Sequence, residues 1–446
     1  MVRLSAMVTK KLSLITATTI VAASMIGVGV FTTSGFALAA LGTPGRVLVA
    51  WGVGSFIAMC GAISYAALAA KFTESGGEYL FLARAIHPAA GLTAGVVSML
   101  AGFTGPIAAA AIGLEAYASP MLGSPLLGSR MPALPVGCIA VTAILIAAVL
   151  HAVKVSAATR MQDAIVGFKL ILILGFIGWG FFALSDASTN REIAAETIPF
   201  SIPNFASQLV WISFSFAGFN AAIYVAGEVR DPARNVPRAL IGGTALVSVI
   251  YLLLNTIFVY SAPIEVITAG ENISQVAATA AVSIGGTTLE NLVRVLIVTA
   301  LATSISAMVM TGPRVYAKMA DDGLMPSFFS SGNRSPVVAI GFQAAMAIVV
   351  VLISRLQDLL SYLGLTLSLC SALAIASLFV LRFRGQISRL PGWGIPPAVF
   401  IFASVSLGII AAWNQPIPAI AAVATLTIGG ILFWLQRSSG EAERLG

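Results

Sequence analysis

The stretch Met25-Ile26-Gly27-Val28-Gly29-Val30-Phe31 sets two glycines one residue apart inside a continuous apolar run. Glycine weakens a helix and lets it unwind, and an unwound helix presents peptide groups that have lost their partners. Phe214-Ser215-Phe216-Ala217-Gly218-Phe219-Asn220 is a second such place, with small residues and glycine beside a polar side chain. Unpaired peptide groups in an apolar setting are costly unless a ligand or a protein group replaces the lost bonds. A zwitterion offers both signs. Its carboxylate accepts from the amides of Gly27, Val28 and Gly29 at the positive end of the following half-helix. Its ammonium donates to carbonyls around Phe214, Ser215 and Ala217. The candidate binding residues are therefore Ile26, Gly27, Val28 and Gly29 on one side, and Phe214, Ser215, Ala217, Gly218 and Asn220 on the other.

Lys169 is the most informative charge, because an ionisable group inside an apolar run is expensive and faces a cavity or a partner unless its stem snorkels to the interface. Little else suits covalent or metal chemistry. His87 and His151 are the only histidines and stand apart, while Cys60, Cys138 and Cys370 each lie inside an apolar segment with no zinc or disulfide spacing. HExxH, GxSxG and P-loop patterns are absent. An enzyme is not expected, and neither is a cofactor or a bound metal.

The elements that carry these residues follow from composition. Of 446 residues, 58% are hydrophobic and 9% charged, against about 45–50% and about 25% in soluble domains; the mean hydropathy is +0.98. Crossing a bilayer takes roughly 20 apolar residues per helix. Apolar runs between charged or Pro/Gly punctuation fall at about 13–41, 47–70, 89–119, 133–151, 162–184, 204–228, 239–261, 289–319, 336–354, 359–381, 396–413 and 416–436. Runs of this length in lipid must be helices, so the expectation is an all-α membrane protein with 12 transmembrane helices. Residues 1–12 and 437–446 would be cytoplasmic segments. Of the 24 lysines and arginines, this arrangement puts eighteen inside, leaves Arg46, Arg130, Arg191 and Arg355 outside, and keeps Lys169 and Arg294 in spans. That bias sets both termini in the cytoplasm and the protein in the cytoplasmic, or inner, membrane. The net charge of +7 is scattered singly, which argues against a nucleic-acid partner. Lys10 and Lys11 before an apolar run imitate a signal peptide, but the run continues well past Ser24.

Beyond the glycine motif stand Ser75-Gly76-Gly77-Glu78-Tyr79 after the second span, Gly227-Glu228-Val229-Arg230-Asp231-Pro232 with Asn235-Val236-Pro237-Arg238 after the sixth, and RVYAKMADDGLMP from Arg314 to Pro326 after the eighth. In this order, over essentially the whole chain, they resemble the amino acid/polyamine/organocation (APC) superfamily. The narrower likeness is to its L-type amino acid transporter branch, in Gln162, Asp163 and Lys169 and in Gly218-Phe219-Asn220. Phe219 departs from the branch's tryptophan, and Ala67, Thr73 and Asp321 from the superfamily's usual glutamate, proline and arginine. The paired interruptions fit an inverted-repeat transporter. The resemblance implies a leucine-transporter-like fold of 5+5 helices in a core at 13–381, with repeats at about 13–184 and 204–381 and two peripheral helices at 396–436. It implies a permease that moves an amino acid by alternating access, as a proton-coupled symporter or an exchanger. The animal branch joins a heavy chain through an extracellular cysteine; residues 120–132 contain none, so no disulfide-linked partner is expected.

By the same resemblance, the Lys169 ammonium takes the place of a sodium ion, braces the first span near Ala23 and Ile26, and makes transport sodium-independent; a proton-coupling role is also open to it. Phe214 resembles the aromatic gate that closes over the substrate. Glu228 and Arg230 either belong to the cytoplasmic gate or cap and anchor the loop. Asn220 either orients the unwound segment or touches substrate, or makes a structural helix–helix hydrogen bond. Glu115 either couples or is solvated at the interface. Ser304 and Ser306 either line the coupling site or bond back to their own helix. Glu290 and Arg294 read as an i, i+4 ion pair. A cationic amino acid or polyamine carrier on the same fold is the alternative, and a channel or nutrient sensor a remote one. Ala108 to Ala111 in the third span favour a neutral side chain.

Overall fold

The computed structural model describes residues 11–122, 135–152, 158–186, 199–323, 325–330 and 336–445. Its helices are α1 Leu14–Met25, α2 Val28–Leu41, α3 Pro44–Lys71, α4 Gly77–Ala85, α5 Pro88–Val97, α6 Gly105–Leu122, α7 Cys138–Ala152, α8 Ala158–Asp186, α9 Ile202–Phe216, α10 Pro232–Tyr260, α11 Ile264–Thr268, α12 Val276–Asp321, α13 Pro336–Ile353, α14 Leu356–Phe383, α15 Ile395–Asn414 and α16 Pro416–Leu445. A π-helical turn, Ser98–Thr104, joins α5 to α6, and a 3-10 segment, Ala217–Glu228, continues α9. Among the described residues the β contact is one parallel bridge, Leu12 with Val229.

Nine described helices are long and apolar enough to cross a membrane, or ten when α1 and α2, bent by 41°, count as one broken span. The apolar stretches Cys138–Ala152 and Val337–Ile353 are shorter and lie where the fourth and ninth spans were expected. Local chemistry explains several boundaries. Ser13 accepts from the Thr16 N–H to cap α1, and Thr43 caps α3 with Pro44 in its first turn, where a missing N–H costs nothing. Gly286, at φ 65°, breaks α12 three residues before Leu289, where the eighth apolar run was expected to begin. The last helix differs: α16 runs on to Leu445, past the expected boundary at 436.

Apolar side chains point outward as well as inward. Ile171, Leu174 and Phe182 on α8 and Trp413, Ile417 and Ile420 on α15 and α16 are exposed, which suits hydrocarbon and not water. Inside, Trp51 and Phe216 pack edge-on against the Tyr251 ring at 5.3 and 5.0 Å between centroids. The Trp51 indole N–H donates to Ser34 Oγ at 2.8 Å, and Ser34 donates to Asn255. This chain satisfies polar atoms of α2, α3 and α10 where water is excluded, and so holds the helices that flank the break.

Candidate functional site

The first interruption occupies Ile26 and Gly27. Ile26 leaves the helix at ψ 86°. Gly27 is extended, at φ −130° and ψ −157°, and α2 starts again at Val28 with no side chain capping it. The N–H groups of Val28 and Gly29 therefore stand at a helix start, where no preceding carbonyl can reach them. The carbonyls that end α1 do find partners. Lys169 Nζ, on a side chain only 3% exposed, donates to Ile26 O at 2.8 Å, a cation at the negative end of a helix. Tyr251 Oη lies 2.5 Å from Met25 O and 3.0 Å from Ser215 O. A phenol has one proton, so Tyr251 serves one of those two carbonyls at a time.

The second interruption is a tightening of the helix rather than a gap. At Ala217 the chain passes into 3-10 geometry, and the Ala217 N–H bonds to Phe214 O. Of the carbonyls expected to be free here, Phe214 O and Ser215 O thus have protein donors. The two broken segments touch directly. A Cβ on Gly29 would lie 2.3 Å from Ser215 Oγ, and one on Gly218 would lie 2.5 Å from Ser24 C and O. Phe214 is half-buried beside them.

Asn220 points away from this junction. Its Nδ2 donates to Glu78 Oε1 at 3.2 Å, the helix–helix bond that the sequence left as one of two readings. The Glu78 carboxylate, 2% exposed, also accepts from the Tyr65 hydroxyl, from Ser371 Oγ at 2.9 Å and from Cys370 Sγ at 3.3 Å. The sequence reading missed this cluster. Glu78 was quoted for its motif, but a carboxylate between spans reads as a solvated loop residue, and apart from Tyr65 its donors come from far along the chain.

The remaining expected residues separate. Glu115 accepts from the Gly137 and Ala140 N–H groups at 2.6 and 2.9 Å, so its carboxylate caps the start of α7. Glu115→Ala should lower the melting temperature in detergent by the loss of a cap worth about 1–2 kcal/mol, and an unchanged melting temperature would remove this assignment. Ser304 Oγ bonds back to Ala300 O at 3.0 Å, while Ser306 Oγ pairs with His151 Nε2 at 2.8 Å. Arg294 joins Glu290 and also donates to Gln275 Oε1 at 2.7 Å. Glu228 meets Arg314 at 3.6 Å, both exposed. The side chains of Gln162 and Asp163, and residues 123–134, lie outside the described residues.

A family model described as amino acid permease matches residues 12–436. The serine/threonine exchanger SteT of Bacillus subtilis (strain 168) is 28% identical over 385 residues, 84% of this chain and 84% of that protein. The Asc-type amino acid transporter 1 of Mus musculus is 25% identical over 84% of this chain and 71% of its own length. The large neutral amino acids transporter small subunit 2 of Homo sapiens is 24% identical over 96% of this chain and 80% of its own length.

Proposed function

The chain is a multi-pass membrane protein and belongs to the amino acid permease family, and from that premise we propose that it carries a small neutral amino acid by alternating access. The observation that carries the proposal is the break at Ile26 and Gly27, with bare amides on one side and carbonyls held by Lys169 and Tyr251 on the other. The substrate carboxylate accepts from the amides of Gly27, Val28 and Gly29, at a positive helix end. Its ammonium donates to whichever of Met25 O and Ser215 O the Tyr251 proton leaves open. Phe214 closes over it, and Ala217 and Gly218 keep the second wall low enough for the two broken helices to share one solute. Ala108 to Ala111, all buried, put no charge beside the side chain, which favours a neutral substrate over a cationic one. A polyamine has no carboxylate for the α2 amides.

The twelve spans are α1 with α2, α3, α5 with α6, α7, α8, α9 with its 3-10 continuation, α10, α12, α13, α14, α15 and α16. The first ten form two inverted repeats, at about 13–184 and 204–381, with the last two peripheral. Both termini face the cytoplasm. The Arg314–Glu228 pair belongs to the cytoplasmic gate. Lys169 supplies a fixed positive charge at the end of α1, so transport needs no sodium ion.

Counterflow in proteoliposomes tests this. Vesicles loaded with unlabelled L-serine, L-threonine or L-leucine should transiently concentrate the labelled form, at the same rate when sodium is replaced by choline. Labelled putrescine should not enter. A strict sodium requirement would remove the role given to Lys169, and failure of every amino acid to exchange would sink the transport reading itself.

A further inference from the structure

The described residues include three buried charged side chains, Glu78, Lys169 and Arg294. Two have an evident fixed task. Lys169 holds Ile26 O, and Arg294 is neutralised by Glu290. Among the described residues Glu78 has no cation against it; a charge taken out of water this way is expensive unless hydrogen bonds replace the lost hydration. The bonds are unequally shared. Oε1 accepts from Tyr65, Asn220 and Ser371, whereas Oε2 has the thiol of Cys370 alone, and a thiol is a weak donor. Oε2 thus keeps an open lone pair.

We infer that Glu78 is a proton-binding site that couples transport to pH: charged, it ties α3, the 3-10 segment and α14 to α4, and on taking a proton at Oε2 it loosens all three. The inference rests on the transport reading above and adds to it the site where the coupling ion binds. The chemistry is a simple protonation: one O–H bond forms at Oε2, with the proton taken from solvent and returned to it. Hydrogen bonds to a carboxylate are roughly twice as strong as those to its neutral acid, so one proton weakens the ties from Tyr65, Asn220 and Ser371 together. Asn220 lies three residues after Ala217, where the second broken helix changes geometry, so the change reaches the substrate segment through a short stretch of backbone. Asn220 and Ser371 also line a small cleft between α3, α9, α14 and α15.

The other titratable groups facing Glu78 are Tyr65 from α3, Cys370 from α14 and Tyr224 from the 3-10 segment, whose ring lies against Gly77. The α5 sequence Pro88–Val97 and the π-helical turn Ser98–Thr104 carry no titratable side chain. On α4 itself, Tyr79 donates to Asp322 Oδ2 at 2.7 Å, and burial followed by that carboxylate holds its phenol above the ordinary range. Arg84 pairs with Glu74. Free thiols and phenols titrate on the alkaline side, so an acid-side response in this cluster belongs to the Glu78 carboxyl.

The test uses the full chain in proteoliposomes with labelled L-serine as probe. Counterflow at symmetrical neutral pH comes first; its absence for every amino acid offered sinks the transport reading and this inference together. With counterflow established, an inward acid gradient should raise wild-type uptake several-fold, and Glu78→Gln should exchange serine yet gain nothing from the gradient. Ser371→Ala and Tyr65→Phe each remove a donor from the charged carboxylate and favour its protonated form. Each should therefore move the midpoint of the pH profile upward by about one unit. A wild type indifferent to the gradient, a Glu78→Gln protein that still follows it, or unmoved profiles in both donor variants would overturn the inference and leave the transport reading standing. Should Glu78→Gln fail to reach the membrane, the two donor variants decide the matter alone.

Discussion

Lys169→Met protein should reach the membrane in normal amount and yet exchange labelled amino acid about 10- to 100-fold more slowly than the wild type. Methionine keeps the apolar stem and removes the ammonium, so the change isolates one contact, the 2.8 Å bond from Nζ to Ile26 O. A hydrogen bond from a charged donor contributes about 1.5–3 kcal/mol, and tenfold in a rate or equilibrium corresponds to about 1.4 kcal/mol. The lost bond also leaves a buried carbonyl bare at the end of α1, beside Gly27, where the chain direction is set. The damage should therefore fall on the geometry of the break more than on folding. Initial rates of counterflow, normalised to reconstituted protein and read beside a melting curve, check this. A normal rate in Lys169→Met would show that the bond is incidental.

Gly218→Ala should be the more severe substitution, although it adds one methyl group. An ideal Cβ at 218 falls 2.5 Å from Ser24 C and O and 2.7 Å from Met25 N. All three are backbone atoms, so no side chain can rotate aside. Overpacking of this kind costs about 1–3 kcal/mol in a dense interior, and the strain lies where the two broken helices touch. α1 and the 3-10 segment must separate, which misaligns Met25 O and Ser215 O about the shared Tyr251 proton. Counterflow should fall below detection. Gly175→Ala serves as the control, because a Cβ there meets nothing within 4 Å and should leave both exchange and melting temperature unchanged. Comparable exchange by the two alanine variants would show that the helices need not approach so closely.

Much of this architecture was legible in the chain, and the reasons are physical. A bilayer sorts apolar runs by length, so the first break announces itself as two glycines in a place where hydrocarbon penalises them, and Lys169 stands out as a charge where charges are expensive. Groups whose partners come from far along the sequence were not legible. Tyr251 sits in an apolar run and reads as one more core ring, yet its hydroxyl is shared by carbonyls of Met25 and Ser215. Glu115 reads as an exposed interfacial carboxylate because the groups it binds are backbone amides at Gly137 and Ala140, which carry no sequence signature. The π-helical turn Ser98–Thr104 has no compositional mark either. The second interruption was found by its small residues, but glycine marks only that a helix can yield there; that it tightens into 3-10 geometry from Ala217, with a kink at Val225, depends on what packs around it.

One contact near the start of the chain has a bearing on genetics. The Leu12 N–H donates to Glu228 O at 2.8 Å, and the Arg230 N–H returns to Leu12 O at 2.9 Å. Both bonds are made by main-chain atoms, which alanine replacements preserve. A conventional scan through this clasp would pass over the hydrogen bonds themselves and register only what the side chains add. Proline at 12 or at 230, which deletes the donor, is the substitution that can unfasten it.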